Sequence, residues 1–225
     1  MMKIFTTAKK NIGLKLLFSA SLVLMFCCPG IMHAQNIQGE FIGGFNLSQV
    51  DGDEVVGYRK IGFNGGVGAA LPLGKSWFVS VETLFNQKGA YKKYPPNSNN
   101  LNLPYYNLRL NYAEIPMLIH YNDRDQITIG LGLAYSRLVS MRETEHGVLI
   151  DWATSTGPYK SEDLNILVDF RLRAFWKVHF NFRYAYSLGK IRTRDYNNTV
   201  STWSRDQFNN LLSFRLVFVF NEKLK

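Results

Sequence analysis

Eight stretches of the chain alternate apolar and polar side chains at period two, and in none of them does a charged residue fall on the apolar face. In residues 127–136, for example, Ile127, Ile129, Leu131, Leu133 and Tyr135 oppose Thr128, Gly130, Gly132, Ala134 and Ser136. The same pattern runs through 37–47, 60–71, 77–88, 112–121, 166–174, 178–187 and 211–220. Alternation of this kind marks β-strands, whereas a helix would repeat near 3.6 residues. A water-soluble sheet must put charge on its outer face. Here charge is confined to one face and absent from the other, which fits lipid outside and a polar interior. The segments run about 9–12 residues, close to the roughly 9–11 that a tilted strand needs to cross a bilayer. Backbone groups in lipid must all be paired, so such a sheet has to close on itself. The expected fold is all-β: an eight-stranded antiparallel transmembrane up-and-down β-barrel with both termini periplasmic.

The connections point the same way. Residues 48–59, 89–107, 140–163 and 189–207 are long, while 72–76, 122–125 and 176–177 are short. Membrane barrels have short periplasmic turns and longer outer loops, and a periplasmic N-terminus sends every long connection outward. Trp77, Phe85, Tyr121, Tyr135, Trp176, Tyr186 and Phe220 lie near segment ends, where girdles at the two interfaces are expected. Phe214, Phe218 and Phe220 give the last strand an aromatic character suited to the outer-membrane assembly machinery. A secreted ligand-carrying barrel also has eight strands, but it turns its apolar face inward, so sidedness separates the two.

The N-terminus carries Lys3, Lys9, Lys10 and Lys15, then an apolar run over 16–28, then Ile31-Met32-His33-Ala34-Gln35. A basic start, a moderate apolar core and a small residue before the cut read as a secretory signal. Residues 1–34 are therefore expected to be cleaved, leaving 35–225 as one barrel domain. Phe26 before Cys27, and Cys27 before Cys28, supply no small residue for lipid attachment. Both cysteines leave with the signal, so the mature chain offers no disulfide or thiolate chemistry. The signal removes four of 26 basic residues and none of 17 acidic ones, which lowers the formal charge from +9 to +5. Basic residues form no stripe with interleaved aromatics, so no nucleic-acid partner is expected.

Four stretches resemble the PorT-type outer-membrane β-barrel family of Bacteroidota. They are Gly43-Gly44-Phe45-Asn46-Leu47-Ser48, Gly62-Phe63-Asn64-Gly65-Gly66, Val81-Glu82-Thr83-Leu84-Phe85-Asn86-Gln87-Lys88-Gly89 and Leu110-Asn111-Tyr112-Ala113-Glu114-Ile115-Pro116. The resemblance spans most of the mature chain. It implies a membrane barrel and, through the family's namesake, a link to type IX protein secretion.

No catalytic constellation, cofactor or metal site is expected. Glu40, Glu82, Glu114 and Asp169 share the polar face with Arg171, Arg173, Arg183 and Arg215, four against four. An eight-stranded barrel is just wide enough for side chains to fill it, and arginine matches carboxylates through its planar fork. These eight residues are expected to form a structural ion-pair network that closes the lumen, with Gly66, Gly68, Gly130 and Gly132 making room. His120 and His179 fall near periplasmic strand ends and His146 in a loop, without metal-ligand spacing. An outer-membrane lipid enzyme is the remote alternative. Gly62–Gly68 lacks the Gly-Lys-Ser/Thr of a phosphate loop, and Asp51-Gly52-Asp53-Glu54 reads as a solvated turn rather than a calcium loop. The outer loops hold Tyr91, Lys92, Lys93, Tyr94, Tyr105, Tyr106, Lys190, Arg192, Arg194, Tyr196, Trp203 and Arg205. Basic and aromatic groups suit anionic lipid, glycan or a protein partner. The expected role is envelope-structural or surface-binding, with an accessory part in type IX secretion as the alternative.

Overall fold

The computed structural model describes residues 37–53, 55–94, 104–124, 126–150, 157–197 and 201–221. The expected signal, residues 1–34, lies outside them. Ten strands follow in chain order: β1 (Gln38–Asp51), β2 (Lys60–Pro72), β3 (Trp77–Lys93), β4 (Pro104–Asp123), β5 (Ile127–Glu145), β6 (Val148–Ile150), β7 (Glu162–Phe175), β8 (Val178–Ser187), β9 (Arg192–Asn197) and β10 (Thr202–Phe220). All pairings are antiparallel, in the order β1-β2-β3-β4-β5-β7-β8-β10, and β10 returns to β1 to close the ring. Eight strands thus form the wall. β6 only pairs with β5 and β9 only with β10, so these two are hairpin additions at the outer end.

Burial alternates along each wall strand as the sequence pattern requires. On β5, Ile127, Ile129, Leu131, Leu133 and Tyr135 are exposed while Thr128, Gly130, Ala134 and Ser136 are buried. Trp77, Phe85, Tyr121, Tyr135, Trp176 and Phe220 are all exposed at the band's edges. Leu211, Val217 and Val219, which blur the alternation of β10, face inward and are buried. The seam where the barrel closes is lined by rings: Phe41 meets Phe220 at 5.7 Å, and Phe45 stacks on Phe214 at 5.4 Å. Such pairs contribute about 0.5–1.5 kcal/mol each beyond area burial.

Two expectations are corrected. The wall strands run from 10 residues in β8 to 20 in β4, and all but β8 are longer than the roughly 9–11 residues a bilayer crossing needs. Much of what reads as outer loop, including 89–93, 104–107 and 140–145, continues the wall. The lumen is also not uniformly polar. Its outer part holds a buried apolar cluster of Val50, Ala90, Leu108, Leu110, Leu138 and Ile191 with Tyr106, Tyr112 and Tyr159. The cause is a reversal of sidedness. Low on β4, Ile115, Met117 and Ile119 point outward; higher up, Leu108 and Leu110 are buried and Arg109 is exposed. Period two persists, but above the bilayer the barrel's surroundings are water, so the apolar side turns inward.

Candidate functional site

The lumen is filled in storeys. At the periplasmic end, the His120 ring stacks on Phe78 with centroids 4.5 Å apart, and its Nε2 lies 2.8 Å from Ser80 Oγ. Gly130, opposite His120 in the wall, makes this possible, since a Cβ there would sit 2.3 Å from His120 Nδ1. A serine–histidine pair invites comparison with a hydrolase. A nucleophile of that kind needs its histidine oriented by an acid through the other ring nitrogen. His120 Nδ1 has no hydrogen-bond partner, and both side chains are sealed from solvent. The pair is a packed polar contact.

The middle storey is the charge cluster. Glu82 accepts from three guanidiniums: Arg171 Nη2 at 3.1 Å, Arg183 Nη2 at 2.8 Å and Arg215 Nη1 at 3.1 Å. Asp169 accepts from the same three, at 3.2, 2.5 and 3.4 Å. Glu40 accepts from Arg171 Nη1 at 2.6 Å, while its other oxygen has no partner. Asn181 ties the cluster to the wall, donating to Asp169 at 2.9 Å and accepting from Arg215 Nε at 2.7 Å. Three carboxylates thus meet three guanidiniums, all nearly fully buried. Gly68 pairs with Glu40 on one side and Glu82 on the other, and a Cβ on it would come within 3.2 Å of both side chains. Gly66 and Gly132 act differently: a Cβ there would strike the backbone oxygens of Thr83 and Met117.

The structure therefore brings Glu40, Glu82, Asp169, Arg171, Arg183 and Arg215 together. It does not add the other two expected members. Arg173 is half-buried at the periplasmic end of β7. Glu114 sits in a separate storey, where the fully buried Lys88 reaches Glu114 at 3.1 Å and Asp163 at 3.3 Å. Asn86 and Ser136 also donate to Glu114, at 3.1 and 2.8 Å, and Asn209 donates to Asp163 at 2.9 Å. Lys88 continues the inward parity of Glu82, Leu84 and Asn86, so its place was available in the sequence. Asp163 continues the parity of Asp169, but it lies beyond the expected strand end.

Above the apolar cluster a second polar set closes the mouth. Glu143 accepts from Arg192 at 3.2 Å and from the hydroxyls of Tyr106 and Tyr159, both at 3.3 Å, and Arg194 pairs with Glu145. Gly52, Asp53 and Tyr58 of the first outer connection pack here too. Tyr196 donates to Gly52 O at 3.2 Å and Tyr58 to Asn210 at 2.7 Å. Asp53 is not in a solvated turn: only 6% of it is exposed, and one carboxylate oxygen accepts from Val55 N at 2.8 Å while the other has no partner. Burial pushes its carboxyl up to about 7. A raised carboxyl favours the docked loop while protonated, and this stabilisation is lost as pH rises through about 7. Amides of 55–58, corrected for intrinsic exchange rates, should exchange up to about tenfold more slowly at pH 5.5 than at pH 8.5. Asp53→Asn should remove the difference; an unchanged pH dependence in that variant would contradict it.

Among the described residues no group of three or more His, Cys, Asp or Glu side chains is arranged to hold a metal ion. The fold and interior define a transmembrane barrel with an apolar outer band and a lumen packed with paired charges. The chain belongs to the outer membrane protein beta-barrel domain family, whose model matches residues 33–192, and it is an integral protein of the outer membrane. Solved structures with similarity to it include the attachment invasion locus protein Ail of Yersinia pestis, 12% identical over 83% of this chain and 99% of that one, with a TM-score of 0.48. Neisserial surface protein A is 14% identical over 82% and 96%, at 0.45. OprG of Pseudomonas aeruginosa is 12% identical over 82% and 97%, at 0.35. A search of curated protein sequences returns no match.

Proposed function

We propose that this protein is a non-catalytic, non-conducting barrel that braces the outer membrane and offers its outer rim as a binding surface. The observation that carries this reading is the lumen. The cluster of Glu40, Glu82, Asp169, Arg171, Arg183 and Arg215 and the Lys88 storey stand across it in series, each within hydrogen-bonding distance of its partners. Permanent ion flow would require breaking them. At the rim, Lys92 lies over the Tyr105 ring at 5.4 Å, and Tyr105 makes edge contacts with Tyr94 and His146. Cations beside aromatic faces suit sugars or a protein partner. The proposal includes cleavage of residues 1–34, delivery by the outer-membrane assembly machinery and no nucleic-acid partner.

The four sequence stretches that resemble PorT-type barrels of Bacteroidota support a second reading, an accessory part in type IX secretion. Folded protein in a planar bilayer should show no steady conductance; sustained large steps would overturn the first reading. A deletion strain separates the two. Normal secretion of cargo is expected, and its loss would move the assignment to the secretion machine.

A further inference from the structure

Seven of the eight neighbouring strand pairs in the wall are joined by a stretch of chain, and the eighth, β10 against β1, is not. Only lateral pairing holds these two together, along a ladder that runs from Gly39 opposite Phe220 to Asp51 opposite Phe208. At the outer end of this seam a chain of polar contacts crosses from one strand to the other. Gly57 N donates to Gln49 Oε1 at 3.0 Å, and Gln49 Nε2 donates to Asp51 Oδ1 at 2.8 Å. From β10, Asn210 Nδ2 donates to Asp51 Oδ2 at 3.1 Å, while Asn210 Oδ1 accepts from the Tyr58 hydroxyl at 2.7 Å. Gln49 and Asn210 are themselves direct partners across the ladder. The contacts form a loop of their own: from β1 to the chain at Gly57 and Tyr58, on to β10, and back to β1.

The two halves of the connection lie on opposite sides of the rim. Val50 belongs to the luminal apolar cluster and Val55 packs against it, so Gln49 and Asp51, on either side of Val50, face outward. Asn209 faces the lumen, where it meets Asp163, so Asn210 faces outward as well. Val55 therefore sits inside and Gly57 and Tyr58 outside, with Val56 between them 87% exposed at the crest. Both bends need glycine. The φ angle is +92° at Gly52 and +104° at Gly57, a region other residues seldom adopt, and a Cβ on Gly52 would sit 2.3 Å from Asp206 O. We infer that the first outer connection, through Gly52, Val55, Gly57 and Tyr58, is a clip over the rim that holds β1 and β10 together where no turn does so. Asn210 is its catch, since its amide donates to β1 and accepts from the clip at once. The clip forms only after the ring has closed, because Gln49 and Asn210 meet only there. This goes beyond the binding role of the rim, and it leaves that role to groups such as Lys92, Tyr94, Tyr105 and His146.

The test uses the full mature barrel in lipid nanodiscs and follows amide exchange residue by residue. Cutting the clip at either end, with Tyr58→Phe at β10 or Gln49→Met at β1, should speed exchange of the outer seam amides, 47–51 and 208–212, by about three- to tenfold, the effect of one neutral hydrogen bond on a local opening. Amides 129–133 of the β5 ladder should change by less than about twofold. The two contacts act in series through the chain at Gly57 and Tyr58, so the double variant should exchange no faster than the faster single one. Unchanged seam exchange in both single variants would overturn the clip. A matching rise in β5 would make these contacts general stabilisers of the barrel, and additive effects in the double variant would make them two separate contacts. Either result also overturns the proposal.

Discussion

Glu82→Gln should destabilise the barrel by about 3–5 kcal/mol, the range for removing one member of a buried ion pair. The substitution keeps the shape of the side chain and removes the charge that faces Arg171, Arg183 and Arg215. Two carboxylates would then serve three buried guanidiniums. Glu40→Gln should cost clearly less, because Glu40 meets Arg171 alone and has one oxygen without a partner. Urea unfolding in lipid vesicles, followed by tryptophan emission and gel mobility, measures both. If Glu40→Gln proved the more damaging, the hub of the cluster would not be Glu82. The size of the effect does not mean that the cluster stabilises the fold as a whole. Desolvation of six charged groups offsets much of their attraction, and an apolar filling of equal shape is often as stable.

Lys88→Met should cost a similar amount, about 3–5 kcal/mol, for the opposite reason. Methionine fills the volume of the stem but leaves Glu114 and Asp163 buried without their shared cation. Adding Glu114→Gln and Asp163→Asn to Lys88→Met should restore most of the loss, because the storey becomes neutral and keeps its hydrogen bonds to Asn86, Ser136 and Asn209. Comparison of single, double and triple variants isolates the coupling. A triple variant as unstable as Lys88→Met alone would show that packing around the Lys88 stem, rather than charge, sets the cost.

The wall was legible in the sequence because no crossing segment puts charge on its apolar outer face, as Ile127 through Tyr135 illustrates on β5. The membership of the charge cluster was partly legible, since six of the eight residues sharing the inner face meet. Their partners were not. Which carboxylate meets which guanidinium depends on how far neighbouring strands are staggered when the ring closes, and stagger is not encoded by alternation. Glu114 therefore pairs with Lys88 rather than with an arginine. The strand extensions were hidden for another reason. Arg109, Asn111 and Arg142 on the outside, with Leu108 and Leu110 inside, have the parity of a strand but the opposite polarity, so the region reads as loop. Asp163 and Asp53 were misplaced by the same blindness to what the outer ends pack against.

The reversal of sidedness along β4 and β5 also gives insertion a direction. To reach the outer surface, Arg109, Arg142 and Arg137 must cross the hydrocarbon once, at a cost of about 2–4 kcal/mol for each cation at the midplane. After the crossing, Leu108, Leu110, Leu138 and Ile191 close together in a core that exists only on the far side. Retreat would then require that core to come apart while the same cations re-enter lipid. The outer end of the barrel acts as a ratchet, and the protein, once threaded, is locked in place by a core that closes beyond the apolar band.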